Sequence, residues 1–295
     1  MHIKKSNSRK AFEIFNNLFM LFLICITFYP VLYIIFASLS DAAALTRLGG
    51  DLLFYPIGFN ISAYQKSFAN PNILSGYINT IKVVAGGLVL SMILTIIGAY
   101  FLSRRNVMLK KPISIMIMFT MWFTGGLIPT YIAVSDIGLV GSLWSLIIPT
   151  VISTYNMIIM RTAFYAIPES LEESARIDGA GHLIILFQIM LPLVKATVAV
   201  VALYYGVQYW NAWFNAAIYL QGQSGKWPLQ LVLRQILIMN DTDSMLQGVG
   251  AGDKEQVGES IKYAVIVIAT LPILCVYPFI QKYFVTGVMI GAVKG

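Results

Sequence analysis

The sequence predicts an all-α membrane protein of six transmembrane helices. Three observations carry that reading: a shortage of charge, six long uncharged runs, and an uneven distribution of lysine and arginine. Of the 295 residues, 58% are hydrophobic and only 11% charged, with a mean hydropathy of +0.76. A soluble domain carries about a quarter charged residues, because its surface must be wetted. Here the solvent for most of the chain is lipid.

The ionisable residues themselves partition the chain. Uncharged runs occupy Ile14–Ser40, Val83–Ser103, Pro112–Ser135, Ile137–Met160, Ala196–Gly225 and Tyr263–Gln281. Crossing hydrocarbon takes about 20 helical residues, and only helices and closed barrels satisfy their backbone there. The runs are continuous rather than alternating, which excludes barrel strands. Six spans follow, at about 12–38, 79–103, 112–135, 142–163, 193–219 and 261–282, in one domain covering 1–295. The next longest run, Gly179–Val194, contains His182 and two glycines and is placed outside the membrane core. Met1–Lys10 is basic, as the start of a signal peptide would be, but the apolar stretch behind it far exceeds the ~7–15 residues of a signal h-region. It reads as a retained first span. Cys25 and Cys275 lie in apolar runs without Cys-x-x-Cys spacing, so no disulfide framework or metal site is suggested.

Orientation follows from the loops. Lys4, Lys5, Arg9 and Lys10 precede span 1, and Arg104, Arg105, Lys110 and Lys111 follow span 2. With both segments cytoplasmic, Arg161, Arg176, Lys195, Lys282 and Lys294 join them, so the inner face takes thirteen of the twenty basic residues. Both termini are then cytoplasmic, in a bacterial plasma (inner) membrane. The net charge of +7 is a topology signal; no basic stripe interleaved with aromatics suggests nucleic acid.

Three segments fall on the outer side. Ser38–Gly76 carries turn signals at Gly49-Gly50, Pro56, Gly58 and Asn70-Pro71, and Asp136–Ser142 is a tight hairpin. Gln221–Lys262 contains Trp227-Pro228-Leu229-Gln230 and an apolar stretch, Leu231–Met239, that is too short to span and reads as an interfacial helix. The inner loop 164–192 differs in character. Pro168 suits a first helical position, Ser170 and Glu173 have capping-box spacing, and Glu169, Glu172 and Glu173 favour a helix N-terminus. Gly179 supplies a left-handed stop. The spacing predicts a short surface helix with Leu171, Ser174 and Ile177 on one face. Two readings stand side by side. A capped amphipathic connector on the membrane is one, since capping patterns are common. A docking helix for a cytosolic partner is the other: the loop holds four of the five acids on a basic face, and its apolar side is too small for a strong anchor.

These residues resemble the EAA loop of bacterial ABC importer permeases, whose pattern is Glu-Ala-Ala, three residues, Gly, nine residues, then Ile-x-Leu-Pro. Here Glu173-Ser174-Ala175 is followed by Gly179, Ile189 and Leu191-Pro192, with Ser174 as the single departure. Asp178-Gly179-Ala180, Asn79-Thr80 and the ending Gly287…Gly291-Ala292-Val293-Lys294-Gly295 resemble the carbohydrate-uptake branch. The segment Trp227–Leu237 resembles the LplC- and YtcP-type permeases tied to polysaccharide-derived oligosaccharides. The resemblance implies a type I (MetI-like) permease fold and a transport subunit rather than an enzyme. It implies a second, homologous permease, two cytosolic ATPase subunits that bind ATP and Mg2+, and an extracytoplasmic solute-binding protein. The cargo it implies is a carbohydrate. By the same resemblance, Leu171, Glu172, Glu173, Ser174, Ala175, Ile177, Asp178 and Gly179 form the coupling helix, with Glu173 paired to a basic residue of the ATPase and Lys294 reaching the ATPase interface.

The residues agree on where the energy cannot arise. No Asp or Glu lies inside the six runs, whereas ion-coupled carriers place ionisable groups within the bundle. Gly222–Trp227 contains a Gly-Lys pair but lacks the Ser/Thr and upstream Gly of a phosphate loop. A sugar path wants aromatic faces, amides and hydroxyls. Tyr204, Gln208 and Asn211 share one face of span 5 at 3.6 residues per turn, and Tyr155 and Asn156 of span 4 are further candidates. The competing reading is an interfacial aromatic belt with helix-binding polar groups. Two rivals remain: an ABC permease for a non-sugar solute, and a membrane-embedded glycan or lipid transferase, which would need clustered carboxylates or histidines that His2 and His182 do not supply.

Overall fold

The computed structural model describes residues 7–104, 107–238 and 254–292, and its regular elements are all helical. In chain order they are α1 (Asn7–Ser38), α2 (Ala42–Leu48), α3 (Ser62–Ala69), α4 (Pro71–Ser103), α5 (Lys110–Trp122) and α6 (Leu127–Asp136). Two 3₁₀ turns, Leu143–Leu146 and Ile148–Thr150, lead into α7 (Thr154–Tyr165) and α8 (Glu169–Ile177). Then come α9 (His182–Ile184), a π-helical stretch (Ile185–Met190), α10 (Leu191–Leu193), α11 (Lys195–Trp210), α12 (Trp213–Tyr219), α13 (Leu229–Ile238) and α14 (Lys254–Ala292).

Among the described residues, the candidate spans number three, or six if each bent helix pair is one span. Within the same described residues, α1, α4 and Val257–Val276 of α14 are the single helices long and apolar enough to cross a membrane. The other three candidates are bent pairs: α5 with α6 (116°), the 3₁₀ turns with α7 (50°), and His182–Leu193 with α11 (88°). Each break has a local cause. Gly126 adopts φ +83° ahead of α6, a conformation that side chains resist. Pro149 and the cap at Ser153, whose Oγ accepts from Asn156 N at 3.4 Å, separate the 3₁₀ turns from α7. Pro192 and the π-helical stretch precede the turn at Val194. A 116° bend is the geometry of a broken span or of a re-entrant hairpin, so the third run is not one straight crossing. The fifth run likewise divides, into α11 and α12.

The chain forms two compact units, one from Met1–Asn70 and Gln235–Leu271, the other from Pro71–Arg234 and Pro272–Gly295. In the first, the segment read as an outer loop holds two short helices. Asp41 Oδ1 caps α2 by accepting from Ala43 and Ala44 N, and Gly49 (φ +62°) ends it. Ala37, Leu45 and Leu53 pack with Tyr33, Phe36, Ile57 and Tyr263. Tyr29 Oη accepts from Leu53 N at 2.9 Å, and Ser38 Oγ and Tyr64 Oη share a hydrogen bond of 2.7 Å. Most of α1 is bare: Phe12, Phe15, Leu18, Phe22 and Phe28 are all exposed. Soluble proteins do not tolerate such a surface; in lipid it is the expected one.

The second unit is built on α4, α7 and α11. Small residues let these helices approach, as is usual in membranes: a Cβ at Gly87 would come within 2.7 Å of the Tyr209 ring, and one at Gly98 within 2.9 Å of Met157 Cε. Between the backbones runs a ladder of buried hydroxyls. Ser91 Oγ bonds Tyr209 Oη (2.8 Å), and Thr95 Oγ1 bonds Tyr205 Oη (2.7 Å), which also accepts from Ser153 N (2.8 Å). At one end of α4, Asn79 Nδ2 donates to the carbonyls of Gly225 and Trp227, and Thr80 Oγ1 accepts from Leu229 N. The hairpin joins this end through Lys226 Nζ, which donates to Gly141 O at 2.7 Å. The short apolar stretch after Trp227 is helical as expected, with Arg234 lying 4.0 Å over the Trp213 ring; Met239 lies outside the described residues.

Candidate functional site: helix α8 and the polar face of α11

Helix α8 begins at Glu169, two residues earlier than capping-box spacing implies. Pro168 is the capping residue (φ −57°, ψ 134°) and makes no side-chain cap bond. Ser170 therefore lies within the first turn, and the expected Ser170–Glu173 box is absent. The remaining local grammar holds. Glu169 and Glu172 occupy the first turn, where the helix dipole favours anions, and Arg176 the last. The end is a Schellman motif: Ala180 N donates to Ala175 O (2.9 Å) and Gly179 N to Arg176 O (3.0 Å), with Gly179 at φ +82°. Asp178 is the C-cap.

The two faces of α8 differ sharply. Leu171 is 44% exposed and Ile177 86% exposed, and Glu173, Ser174 and Asp178 are exposed beside them. Glu172 and Ala175 are buried. The residues read as the coupling helix therefore divide between two faces, with Glu172 and Ala175 on the buried one. Glu172 is 6% exposed and forms ion pairs with Arg104 and with Arg176 Nη2, the latter at 2.7 Å. The Arg104 guanidinium also lies 4.9 Å over the Tyr100 ring and donates to Ser103 Oγ. Burial pushes the Arg104 guanidinium below its ordinary range, nearby Arg176 acts in the same direction, and Tyr100 and Glu169 oppose them. It stays cationic, because arginine starts so high. Lys110 Nζ donates to Arg104 O at 2.8 Å and lies over the Tyr165 ring. Arg104, Glu172 and Arg176 line a cleft of about 790 Å³ with Tyr100, Phe164, Glu169, Glu173 and His182. Lys294 lies outside the described residues.

The second group of candidate residues does not come together as one site. Tyr155 is exposed and its ring lies 6.2 Å from that of Tyr204, which is half-buried. Gln208 and Asn211 are exposed and line a small cavity of about 180 Å³ with Thr150, Phe214 and Asn215. Asn156 is buried and does not reach that surface. Gln208 Nε2 donates to Thr150 O at 3.4 Å and Asn211 Nδ2 to Val207 O at 2.9 Å, so part of their capacity serves the chain itself. Their carbonyl oxygens leave acceptor sites, since a side-chain amide offers two donors and an acceptor with two lone pairs. Tyr205 and Tyr209 are buried in the hydroxyl ladder, and Tyr209 also borders the small cavity. A cavity of about 180 Å³ falls below the ~300–1,000 Å³ of ordinary ligand sites, so this cavity does not by itself enclose a sugar.

Sequence reasoning missed Arg104 as the partner of Glu172, and Asn215 as a neighbour of Asn211. Arg104 was legible only as an inner-loop cation, because a contact across that much chain leaves no spacing signal. Asn215 lies four residues beyond Asn211, but α11 ends at Trp210 and Asn215 belongs to α12.

Comparison with known proteins places the chain among transport proteins. No protein-family model matches it. It is 41% identical over 285 residues to the polygalacturonan/rhamnogalacturonan transport system permease protein YtcP of Bacillus subtilis (strain 168), covering 96% of this chain and 97% of that protein. It is 40% identical over 299 residues to Protein LplC of the same organism, covering 100% and 98%. Among solved structures, it is similar to a chain of a bacterial ABC transporter involved in the import of the acidic polysaccharide alginate. There the TM-score is 0.86 at 31% identity, covering 96% of this chain and 100% of that one.

Proposed function

The chain belongs to the permease subunits of bacterial ABC carbohydrate importers, and on that premise we propose that it carries an oligosaccharide derived from a polysaccharide, moved by force that an ATPase applies through α8. As a permease subunit it is not an enzyme; hydrolysis belongs to a separate ATPase subunit. The finer reading adds six spans in the plasma membrane, three of them bent pairs, with both termini and α8 on the cytoplasmic side. It also adds a second, homologous permease, two ATPase subunits that hold ATP and Mg2+, and an extracytoplasmic binding protein. The single observation that carries it is α8 itself: a short helix fastened from behind, with Leu171, Ser174 and Ile177 bare on its other face. An 86% exposed isoleucine beside acids fits a protein cleft better than a lipid anchor, for which this apolar face is too small.

The relatives motivate the cargo: one is a permease of a polygalacturonan/rhamnogalacturonan transport system, and the structural neighbour belongs to a transporter involved in alginate import. The amide-bearing surface at Gln208, Asn211 and Asn215, with the Tyr155–Tyr204 pair beside it, has the donors, acceptors and aromatic faces that sugar hydroxyls and ring faces need. Because its own cavity is small, the opposite wall of the path comes from the second permease. The decisive experiment is Glu173→Lys in the complete importer reconstituted in proteoliposomes. ATP-driven uptake and stimulation of ATP hydrolysis by loaded binding protein both fall at least tenfold. Unchanged uptake in this variant refutes α8 as the docking helix.

A further inference from the structure

Helix α8 is tied to the rest of its unit sideways as well as through the chain. Its flanking segments lead back to α7 and forward to α11, which is the obvious route for any motion. The buried Glu172, however, reaches across to Arg104, the first residue beyond α4. We propose that the Glu172–Arg104 ion pair is a strut that passes displacement of α8 directly to α4, making Glu172 a positioning residue for transport rather than a docking contact.

Four observations support this. First, Glu172 faces away from the bare surface, so it is not available to a partner seated on Leu171 and Ile177. Second, both ends of the pair are held. Arg104 is fixed by the Tyr100 ring, Ser103 Oγ and the Lys110 contact to its carbonyl, while Glu172 is gripped along α8 by Arg176. Third, α4 is bound in turn to α11 by the Ser91–Tyr209 and Thr95–Tyr205 bonds. A displacement entering at Arg104 therefore reaches the helix that carries Gln208 without passing through the 178–194 segment. Fourth, the direct route along the chain is soft. It runs through Gly179 and Gly181, a π-helical stretch and an 88° bend, whereas α4 is one continuous helix. An ion pair largely withdrawn from water is costly to break one partner at a time, which suits a strut.

The inference rests on the reading of α8 as the docking helix, and one set of measurements separates the two. The whole importer is reconstituted in proteoliposomes with the wild-type chain, Glu172→Gln, Arg104→Gln, the double neutral variant, the exchanged pair Arg104→Glu/Glu172→Arg, and Arg176→Gln. ATPase retention on purification, ATP hydrolysis and sugar uptake are measured for each. Glu172→Gln and Arg104→Gln are expected to retain the ATPase subunits and at least half of the hydrolysis, while uptake per ATP falls at least tenfold. The double neutral variant falls no further than the worse single variant. The exchanged pair recovers uptake per ATP to within threefold of wild type, and Arg176→Gln, which pairs only along α8, stays within twofold. Uptake per ATP unchanged in Glu172→Gln, or single effects that multiply in the double variant, overturns the strut. So does loss of the ATPase subunits from Glu172→Gln that the exchanged pair fails to restore. A wild-type importer whose ATPase is not stimulated through this chain refutes the docking reading itself.

Discussion

Gly179 offers the cleanest perturbation of α8, because its environment separates backbone strain from crowding. A Cβ at Gly179 meets nothing within 4 Å, and neither does one at Gly181. The two positions differ in conformation: Gly179 has φ +82° and Gly181 φ −74°. Placing a Cβ in the left-handed region costs about 1–2 kcal/mol. The residue most strained is the one whose N–H closes the Schellman motif onto Arg176 O. At about 1.4 kcal/mol per factor of ten, Gly179→Ala shifts the balance between ordered and frayed ends of α8 by about 5–30-fold. Hydrogen exchange over 169–181 in the purified importer reads this directly as faster exchange at Gly179 and Ala180. Uptake per ATP in proteoliposomes falls in step if the ordered end is the docked one. Gly181→Ala serves as the control and changes neither measurement, while Gly179→Asn, which tolerates the left-handed region better, falls between. Equal exchange rates in the Gly179→Ala and Gly181→Ala chains would refute the argument that conformation, not space, selects glycine here.

Three further predictions follow from the packing. Gly87→Ala forces a methyl into the Tyr209 ring and destabilises the protein by about 1–3 kcal/mol, seen as a lower thermal midpoint in detergent; Gly86→Ala, 3.5 Å from Ile147 Cδ1, leaves the midpoint unchanged or higher. Tyr205→Phe removes the partner of both Thr95 Oγ1 and Ser153 N. At about 0.6 and at most ~1.7 kcal/mol per hydrogen bond in a membrane protein, it lowers the midpoint by several degrees without abolishing assembly. Gln208→Ala weakens sugar uptake by about 2–10-fold, the worth of one net hydrogen bond of ~0.5–1.5 kcal/mol, and alters the preference among oligosaccharides. Unchanged uptake and selectivity remove Gln208 from the path.

What was legible in the sequence was set by local rules. The apolar runs, the Gly179 stop and the short helix beyond Trp227 follow from composition and backbone preference within a few residues, and all three appear where expected. Continuity of the spans did not. An uncharged run satisfies the bilayer whether its helix is straight or broken, so Pro112–Ser135 reads as one span although Gly126 turns it through 116°. The face of α8 was half legible. Periodicity grouped Leu171, Ser174 and Ile177 correctly, but could not reveal that Glu172, one residue from the family's Glu173, points the other way. That distinction depends on Arg104, whose position is decided by the packing of α4 against the rest of its unit. The substrate face shows the same limit. Helical spacing separated Gln208 from Tyr205 and Tyr209, yet it could not foresee that Asn156 is buried or that α11 ends before Asn215.

The arrangement around α4 favours one kind of motion over another. Its two fastened points, Asn79 and Arg104, lie about 37 Å apart at 1.5 Å per residue, and each holds a different loop: 224–229 at one end and α8 at the other. Between them, the hydroxyl ladder binds α4 to α11 and, through Ser153 N, to the start of α7. Changing the path by bending within this unit would break several buried hydrogen bonds and an ion pair, each without water to replace it. Moving the unit as a whole breaks none of them. On the reading of α8 as the docking helix, force enters at its bare surface and displaces the loop clamped by Asn79 and Thr80 at the other end of α4. On the same reading, access to the Gln208–Asn215 surface changes by rocking of the whole unit against the proposed second permease, with the buried contacts intact. On this argument Asn79→Ala should leave ATP hydrolysis unaltered while uncoupling it from binding-protein stimulation. A variant that remains fully stimulated shows that the two ends of α4 act independently.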